Sequence, residues 1–409
     1  MSATLVALPA ARQCDAVRFA ISGLLPSIAL RPESTEEVAV VVAECARQGY
    51  ALVPWGGGVS LSLETSPPPR YDVALDLGAL QRIVTYDPDD FTVTAECGIT
   101  IAALRTAHDA HGQELPIEAG VPAAATLGGV LASNASGARR RALGSPRDRI
   151  LGARFVTGDG DLVRTGGRVV KNVAGHAVHR LLVGSHGGLG VFVEASLKLL
   201  PNPPARAIVV HGAYAALVAD RERWSGLSRL EPAALTVLGY EAATVEPGLA
   251  SGAPFTVITG FEGDPAWVDA CIARVVERLG APIAVRRDAE VPAVWAALAN
   301  AGERAGPRLT FTVADVAPAA VAAIVNHPVA AHMIFHAPAG RLIVWPDPAD
   351  ASALAHELEA AGFALIERRG IELEAMLPPS AVLGLRSRIA RALDPGGVMA
   401  YGARWRSGR

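Results

Sequence analysis

Lysine is almost absent from this chain. Of its 37 lysine and arginine residues, only Lys171 and Lys198 are lysines. Arginine carries nearly all the positive charge, a bias that a GC-rich genome produces without a functional cause. Neither sign of charge dominates, because 40 acidic residues leave a formal net charge of −3. That excludes the basic footprint of a nucleic-acid-binding protein. Cysteine is sparse and scattered, at Cys14, Cys45, Cys97 and Cys271, with no C-x-x-C pair. The chain offers no thiolate set for an iron–sulfur cluster or a zinc site, and no metal is expected. Four buried thiols in a reducing compartment are expected instead. The N-terminus lacks a basic start, an apolar core and a cleavage site, so no secretory signal is expected. The apolar stretch 316–335 is broken by Pro318, Asn326, His327, Pro328 and His332. A membrane-spanning helix tolerates that poorly. With 409 residues, 51% of them hydrophobic, the expectation is a folded cytoplasmic protein of two or three domains.

What the chain does have is glycine in clusters. P-W-G-G-G-V-S-L-S occupies residues 54–62, and T-L-G-G-V-L-A-S-N-A-S-G occupies 126–137. G-G-R-V-V-K-N-V-A-G occupies 166–175, and G-S-H-G-G-L-G-V occupies 184–191. Glycine lets main-chain N–H groups approach a ligand with no Cβ in the way. Few side chains in these segments do acid–base chemistry, which is the profile of backbone held closely around a large ligand. The first loop lacks the G-K-[ST] of a Walker loop and the spacing of G-x-G-x-x-G. Thr126 is placed to cap a helix starting at Leu127, with Gly128 and Gly129 keeping that helix slim. Ser133, Asn134 and Ser136 are polar groups on offer to a ligand. Gly190 and Val191 open a strand whose backbone presents both donors and acceptors. Each segment alone also reads as a close helix–sheet contact, a helix cap or a β-bulge; only their conjunction points to a ligand.

Periodicity and punctuation organise the rest. Residues 34–49 predict an amphipathic helix with an S-x-x-E capping box and a terminal Gly49. Strands are expected at 51–54, 73–77, 82–86, 91–96 and 191–199, a helix at 101–111, and a hairpin at 154–157 and 162–164. Pro201-Asn202-Pro203-Pro204 marks a boundary. Beyond it, strand-like runs at 207–211, 255–261, 308–313 and 342–345 alternate with helix-like runs at 267–279, 317–325 and 351–361. That is an α+β pattern, read as an antiparallel sheet with helices on one face. A last helix, 381–393, leads into D-P-G-G-V-M-A-Y-G at 394–402. His332 and His336 are four apart, but M-I-F-H-A-P-A-G reads as strand and turn, which places both on one strand face rather than on a metal-binding helix.

The glycine loops beginning at residues 56 and 126, closed by G-S-H-G-G-L-G-V, resemble the PCMH-type FAD-binding domain of the vanillyl-alcohol oxidase superfamily over residues 34–201. G-G-R-V-V-K-N-V-A-G followed by H-R-L-L-V-G-S is similar to the FAD-binding E subunits of bacterial glycolate oxidases. So are V-W-A-A-L-A at 294–299 and the C-terminal R-I-A-R-A-L-D-P-G-G-V. The resemblance implies an α+β protein in three parts. These are a two-subdomain FAD-binding domain (1–204), an α+β cap with an antiparallel sheet (205–378), and a C-terminal helix and tail (379–409) that returns to the first part. It implies FAD, held by Pro54, Trp55, Gly56, Gly57, Gly58, Val59, Ser60, Pro122, Thr126, Leu127, Gly128, Gly129, Ala132, Ser133, Asn134, Ser136, Gly137, Gly190 and Val191. Some relatives attach the flavin to a histidine in the first loop; Gly58 and Val59 stand there, which implies non-covalent FAD.

The implied activity is oxidation of a small 2-hydroxy acid such as glycolate, with a second flavoprotein and an iron–sulfur subunit as partners. The implied location is the cytoplasm, or the inner face of the plasma membrane through those partners. The H-x-x-G-D-G-N metal signature of related subunits is absent, and His336-Ala337-Pro338-Ala339-Gly340 sits in its place. His176 stands where the relatives' A-G-Y carries tyrosine. His176, His336 and Lys171 are the catalytic candidates, with no base singled out; His176, His179 and His186 could each accept a proton, and Lys171 could neutralise a flavin phosphate or a substrate carboxylate. His179 and His186 lie near the same glycine segments. Two further readings stay open: an electron-transfer or assembly flavoprotein that never meets the hydroxy acid, and a stand-alone FAD-dependent alcohol oxidase.

Overall fold

The computed structural model describes residues 12–62, 68–118, 124–168, 176–244, 249–302, 306–313, 324–369, 371 and 380–402. Helix Thr35–Gln48 starts at Ser34, whose hydroxyl accepts from the Glu37 N–H (3.1 Å), and stops at Gly49 in the left-handed conformation (φ 70°). Those are the start and stop that the sequence predicts. The Glu37 carboxylate, however, reaches back to the Glu33 N–H (2.7 Å) instead of closing the box on Ser34. Val38, Val41, Val42 and Cys45 form its buried stripe. They pack on a sheet whose parallel strands Ile28–Arg31, Val73–Asp76 and Leu52–Trp55 lie side by side. Strand Arg12–Cys14 adds an antiparallel edge.

A second sheet has five antiparallel strands in the order Ile83–Asp87, Thr92–Glu96, Val191–Lys198, Ile150–Val156 and Leu162–Gly166. Val156, Val191 and Val193 share a core with Leu52 and Leu75 of the parallel sheet. The opposite face carries Phe155 and Phe192, packed with Leu104 of helix Ile101–Asp109 and Leu131 of helix Leu127–Ser133.

Gln113–Glu114 and Leu200–Pro201 form a short antiparallel pair, and the other described strands make one eight-stranded antiparallel sheet. Its order is Ala284–Arg287, Ala205–Ala213, Phe255–Gly263, Ala234–Gly239, Met333–His336, Arg341–Val344, Arg308–Thr312 and Ala364–Arg369. This is the α+β class that the sequence pattern predicts. The expected single layer of helices is corrected. Ala207 and Val209 enter a core with helices Pro265–Leu279 and Ala351–Ala360, while Ile208 and Val210 enter another with helix Val291–Gly302. Apolar residues at both parities of one strand require cover on both faces. His332 ends a 3-10 turn, Pro328–His332, and only His336 lies on the strand. Most of the helix expected at 317–325 lies outside the described residues. Helix Ser380–Leu393 returns to the first half, where Ala390 joins the core beneath the five-stranded sheet.

Candidate functional site

A cleft of about 930 Å³ opens where strand Leu52–Trp55 ends and helix Leu127–Ser133 begins. The strand delivers Pro54 and the loop Gly56, Gly57 and Gly58 to one wall, and Val59 and Ser60 follow in a single helical turn. Thr126 caps the facing helix, its hydroxyl accepting from the Gly129 N–H at 3.3 Å. Gly128, Gly129, Ala132 and Ser133 present that helix to the cleft, and His186, Gly187, Gly190 and Phe192 close the far side.

The glycines are required by close approach. A Cβ on Gly57 would overlap the Ala124 carbonyl, and one on Gly128 would sit 3.0 Å from Cys97. Gly58 has φ +74°, which disfavours a side chain. The cleft holds no carboxylate, and His186 is its one basic side chain, among the described residues. Among those residues, too, the N–H groups of Gly57 and Gly58 bond to no other backbone group. The buried Oδ1 of Asn134, at the left-handed helix end (φ 51°), has no partner there either. Small walls, free donors and no repelling anion suit a dinucleotide such as FAD.

Several sequence candidates stand elsewhere. Trp55 turns away from the cleft to meet Phe19 edge-on, with ring centroids 5.2 Å apart. Leu127 and Val191 are core residues at 0% and 1% exposure. The Ser136 hydroxyl accepts from Arg140, and Gly137 packs on the Glu118 carboxylate. Pro122 and Lys171 lie outside the described residues. His176 is exposed. His179 is buried beneath the hairpin, bonded to Thr165 at 2.6 Å, and burial lowers its pKa. The sequence reading missed Leu77, Cys97, Ala125, Val130, Ala135 and Phe192 in the lining. Burial raises the Cys97 thiol far above its ordinary pKa, so it is an inert wall.

A second polar group sits on the eight-stranded sheet. His336 Nδ1 pairs with the Thr236 hydroxyl (2.9 Å), and Glu367 accepts from Arg308 (3.1 Å) and lies 3.9 Å from Arg341. Arg341 donates to the Ser136 carbonyl at 3.0 Å, which ties this sheet to the loop after the cleft helix. Burial first, and then Arg341, push the His336 pKa down to about 3. An imidazole that weak has no proton to donate near neutral pH and is a poor proton acceptor. A third cluster has no sequence signature. Arg139, 8% exposed, binds Glu114 (2.8 Å), Glu118 (3.3 Å) and Glu262 (2.9 Å), and lies over the Trp295 ring.

Comparison with known proteins places this geometry. Residues 26–166 match the model of the FAD binding domain family. Glycolate oxidase subunit GlcE of Escherichia coli (strain K12) is 45% identical over 132 residues, 32% of this chain and 38% of that protein. Glycolate oxidase subunit GlcD of Bacillus subtilis (strain 168) is 31% identical over 182 residues, 44% of this chain and 38% of that one. The matches to these curated relatives therefore span under two fifths of their length. The crystal structure of p-cresol methylhydroxylase with substrate bound superposes with a TM-score of 0.67 at 19% identity, over 92% of this chain and 89% of that one. At that identity the likeness is one of fold. FAD is the cofactor of this chain, on the match of residues 26–166 to the FAD binding domain model and on these relatives.

Proposed function

We propose that the chain is the FAD-binding part of an oxidoreductase that acts on the CH–OH group of a small 2-hydroxy acid such as glycolate. The observation that carries this reading is the glycine-walled cleft inside the matched FAD binding domain. Its relatives include glycolate oxidase subunits, a D-lactate dehydrogenase and a D-2-hydroxyglutarate dehydrogenase. Bound FAD supplies a hydride acceptor. The protein's share would be to hold it: Gly56 to Val59 and the helix cap at Thr126 would line one side of it, and Gly190 and Phe192 the other. The assignment of Pro54, Gly56, Gly57, Gly58, Val59, Ser60, Thr126, Gly128, Gly129, Ala132, Ser133 and Gly190 to the cofactor belongs to this proposal. So does the division at 204 and 378, which the prolines at 201, 203 and 204 support. No helix among the described residues is long and apolar enough to cross a membrane, and a cytoplasmic location is proposed.

One observation favours a second reading, in which this flavin carries electrons for a partner's reaction. Near Ser136 the sheet offers no ready base among the described residues, since His336 is a very weak one and Glu367 is engaged by Arg308 and Arg341. The partners in that case are a second flavoprotein and an iron–sulfur subunit. The purified, FAD-loaded chain is mixed anaerobically with glycolate, D-lactate or D-2-hydroxyglutarate. Bleaching of the flavin absorbance by the chain alone supports oxidation on this polypeptide. Bleaching only after the co-expressed partners are added supports the electron-transfer reading, and no bleaching in either case overturns both.

A further inference from the structure

The last described residues, 394–402, lie far in sequence from the cleft and yet brace both of its walls. Asp394 is fully buried; its carboxylate accepts from the Val398 N–H (2.8 Å) and the Met399 N–H (3.2 Å), which folds the turn after helix Ser380–Leu393. The Gly158 N–H donates to the Leu393 carbonyl (2.7 Å) and fixes where that helix ends. The chain then runs parallel to strand Leu52–Trp55. The Leu52 N–H donates to the Val398 carbonyl (2.7 Å), and the Ala400 N–H donates to the Leu52 carbonyl (2.9 Å). Met399 and Tyr401 are 1% and 3% exposed. The Tyr401 carbonyl lies 2.9 Å from where a Cβ on Gly188 would stand, and Gly187, the next residue, packs on Pro54.

These contacts have a common consequence. Leu52–Trp55 is the strand that launches Gly56–Gly58, and Gly187 lines the opposite wall. Residues 398–401 therefore pair along the sheet edge beside one wall and press against the backbone behind the other. We infer that this segment is a strap that positions the cofactor-binding loops, so that its docking and FAD binding favour each other. The inference rests on reading the glycine-walled cleft as the FAD site. Two events that share one ordered backbone are linked reciprocally: FAD tightens the strap by the same factor by which the docked strap tightens FAD. Met399 and Asp394 act through Leu52 and are positioning residues.

The test uses the full chain carrying Met399→Cys together with Cys14→Ser, treated with iodoacetamide and quantified peptide by peptide by mass spectrometry. Native Cys271, buried on helix Pro265–Leu279 of the other half, reports any general slowing of unfolding. Saturating FAD, with binding followed by flavin fluorescence, is expected to slow labelling at position 399 by ~10-fold more than at Cys271. A chain ending at residue 397 should bind FAD ~10-fold more weakly. If FAD binds yet protects position 399 and Cys271 equally, the strap is not coupled to the cleft and the inference falls. If FAD does not bind the unsubstituted chain at all, the cofactor reading of the cleft fails instead.

Discussion

The Thr126 hydroxyl occupies the space into which a Cβ on Gly56 would project. The two glycine-rich segments thus fit one against the other, and the same hydroxyl caps the cleft helix through Gly129. Substitutions in this region separate steric cause from ligand loss. Gly57→Ala pushes a Cβ into the Ala124 carbonyl, which is backbone and cannot swing aside; it should lower the melting temperature and abolish flavin binding together. At Gly129 a Cβ meets only Thr126 Oγ1, at 3.3 Å, and the rest of a valine projects into the cleft. Gly129→Val should leave the apo melting temperature nearly unchanged, since helix propensity does not suffer. Its FAD affinity should fall about 100-fold or more, ~3 kcal/mol. Wild-type flavin occupancy in Gly129→Val would show that this helix face does not lie against the cofactor.

Flavin attachment follows from the side chains available. No histidine, cysteine or tyrosine stands in the loop 56–62, and among the described residues of the lining only His186 and Cys97 carry an imidazole or a thiol. Cys97 is kept as a thiol by burial. Acid precipitation of the holoprotein should therefore release all the flavin into the supernatant as FAD. Colour that stays with the precipitated chain would place a covalent bond at His186, which His186→Ala would then remove.

How much of this was legible in the sequence depends on the range of the interaction. Caps and amphipathic stripes are local, so the helix at 34–49 and the strands around the first two glycine loops come out within a few residues. Ala234–Gly239 escapes the sequence reading because every residue in it is buried and no polar alternation marks it. The side chains of Trp55, Leu127 and Val191 turn into the core rather than into the cleft, which the sequence alone does not tell. Period two turns Trp55 from the side on which Pro54 lies. The Arg139 cluster joins residues as far apart as Glu114 and Glu262, and only the fold brings them together.

That cluster makes its own prediction. Arg139 pairs with Glu114, Glu118 and Glu262; Arg206 also reaches Glu114 (2.9 Å) and Glu262 (3.6 Å), so Glu118, whose pKa burial already raises, depends on Arg139 most. Arg139→Met leaves the buried Glu118 carboxylate without its cation, which costs about 3–5 kcal/mol. Urea denaturation at pH 8 should show a loss of that order. The loss should shrink toward pH 5, because protonating a carboxylate removes the stranded charge. A loss that is equal at both pH values would mean the carboxylates do not depend on Arg139.

His336 supplies the opposite sign of test, through stability rather than catalysis. Its folded pKa is depressed to about 3 from an ordinary 6.5. Between those values the unfolded chain takes up a proton that the folded chain refuses. Stability is thus present in full above pH 6.5 and is lost as pH falls below it, by about 1.4 kcal/mol per pH unit for one histidine. His108, His179 and His211 are also depressed by burial and add slope of the same sign. His336→Gln keeps an amide within reach of Thr236 and cannot titrate. Its unfolding free energy should fall less steeply with acid, so that its deficit against the unsubstituted chain narrows by about 1 kcal/mol from pH 6.5 to 5.5. Parallel pH profiles would mean that His336 is not held neutral by its surroundings. A variant with the unsubstituted slope that loses only substrate-driven flavin bleaching would return His336 to the list of catalytic residues.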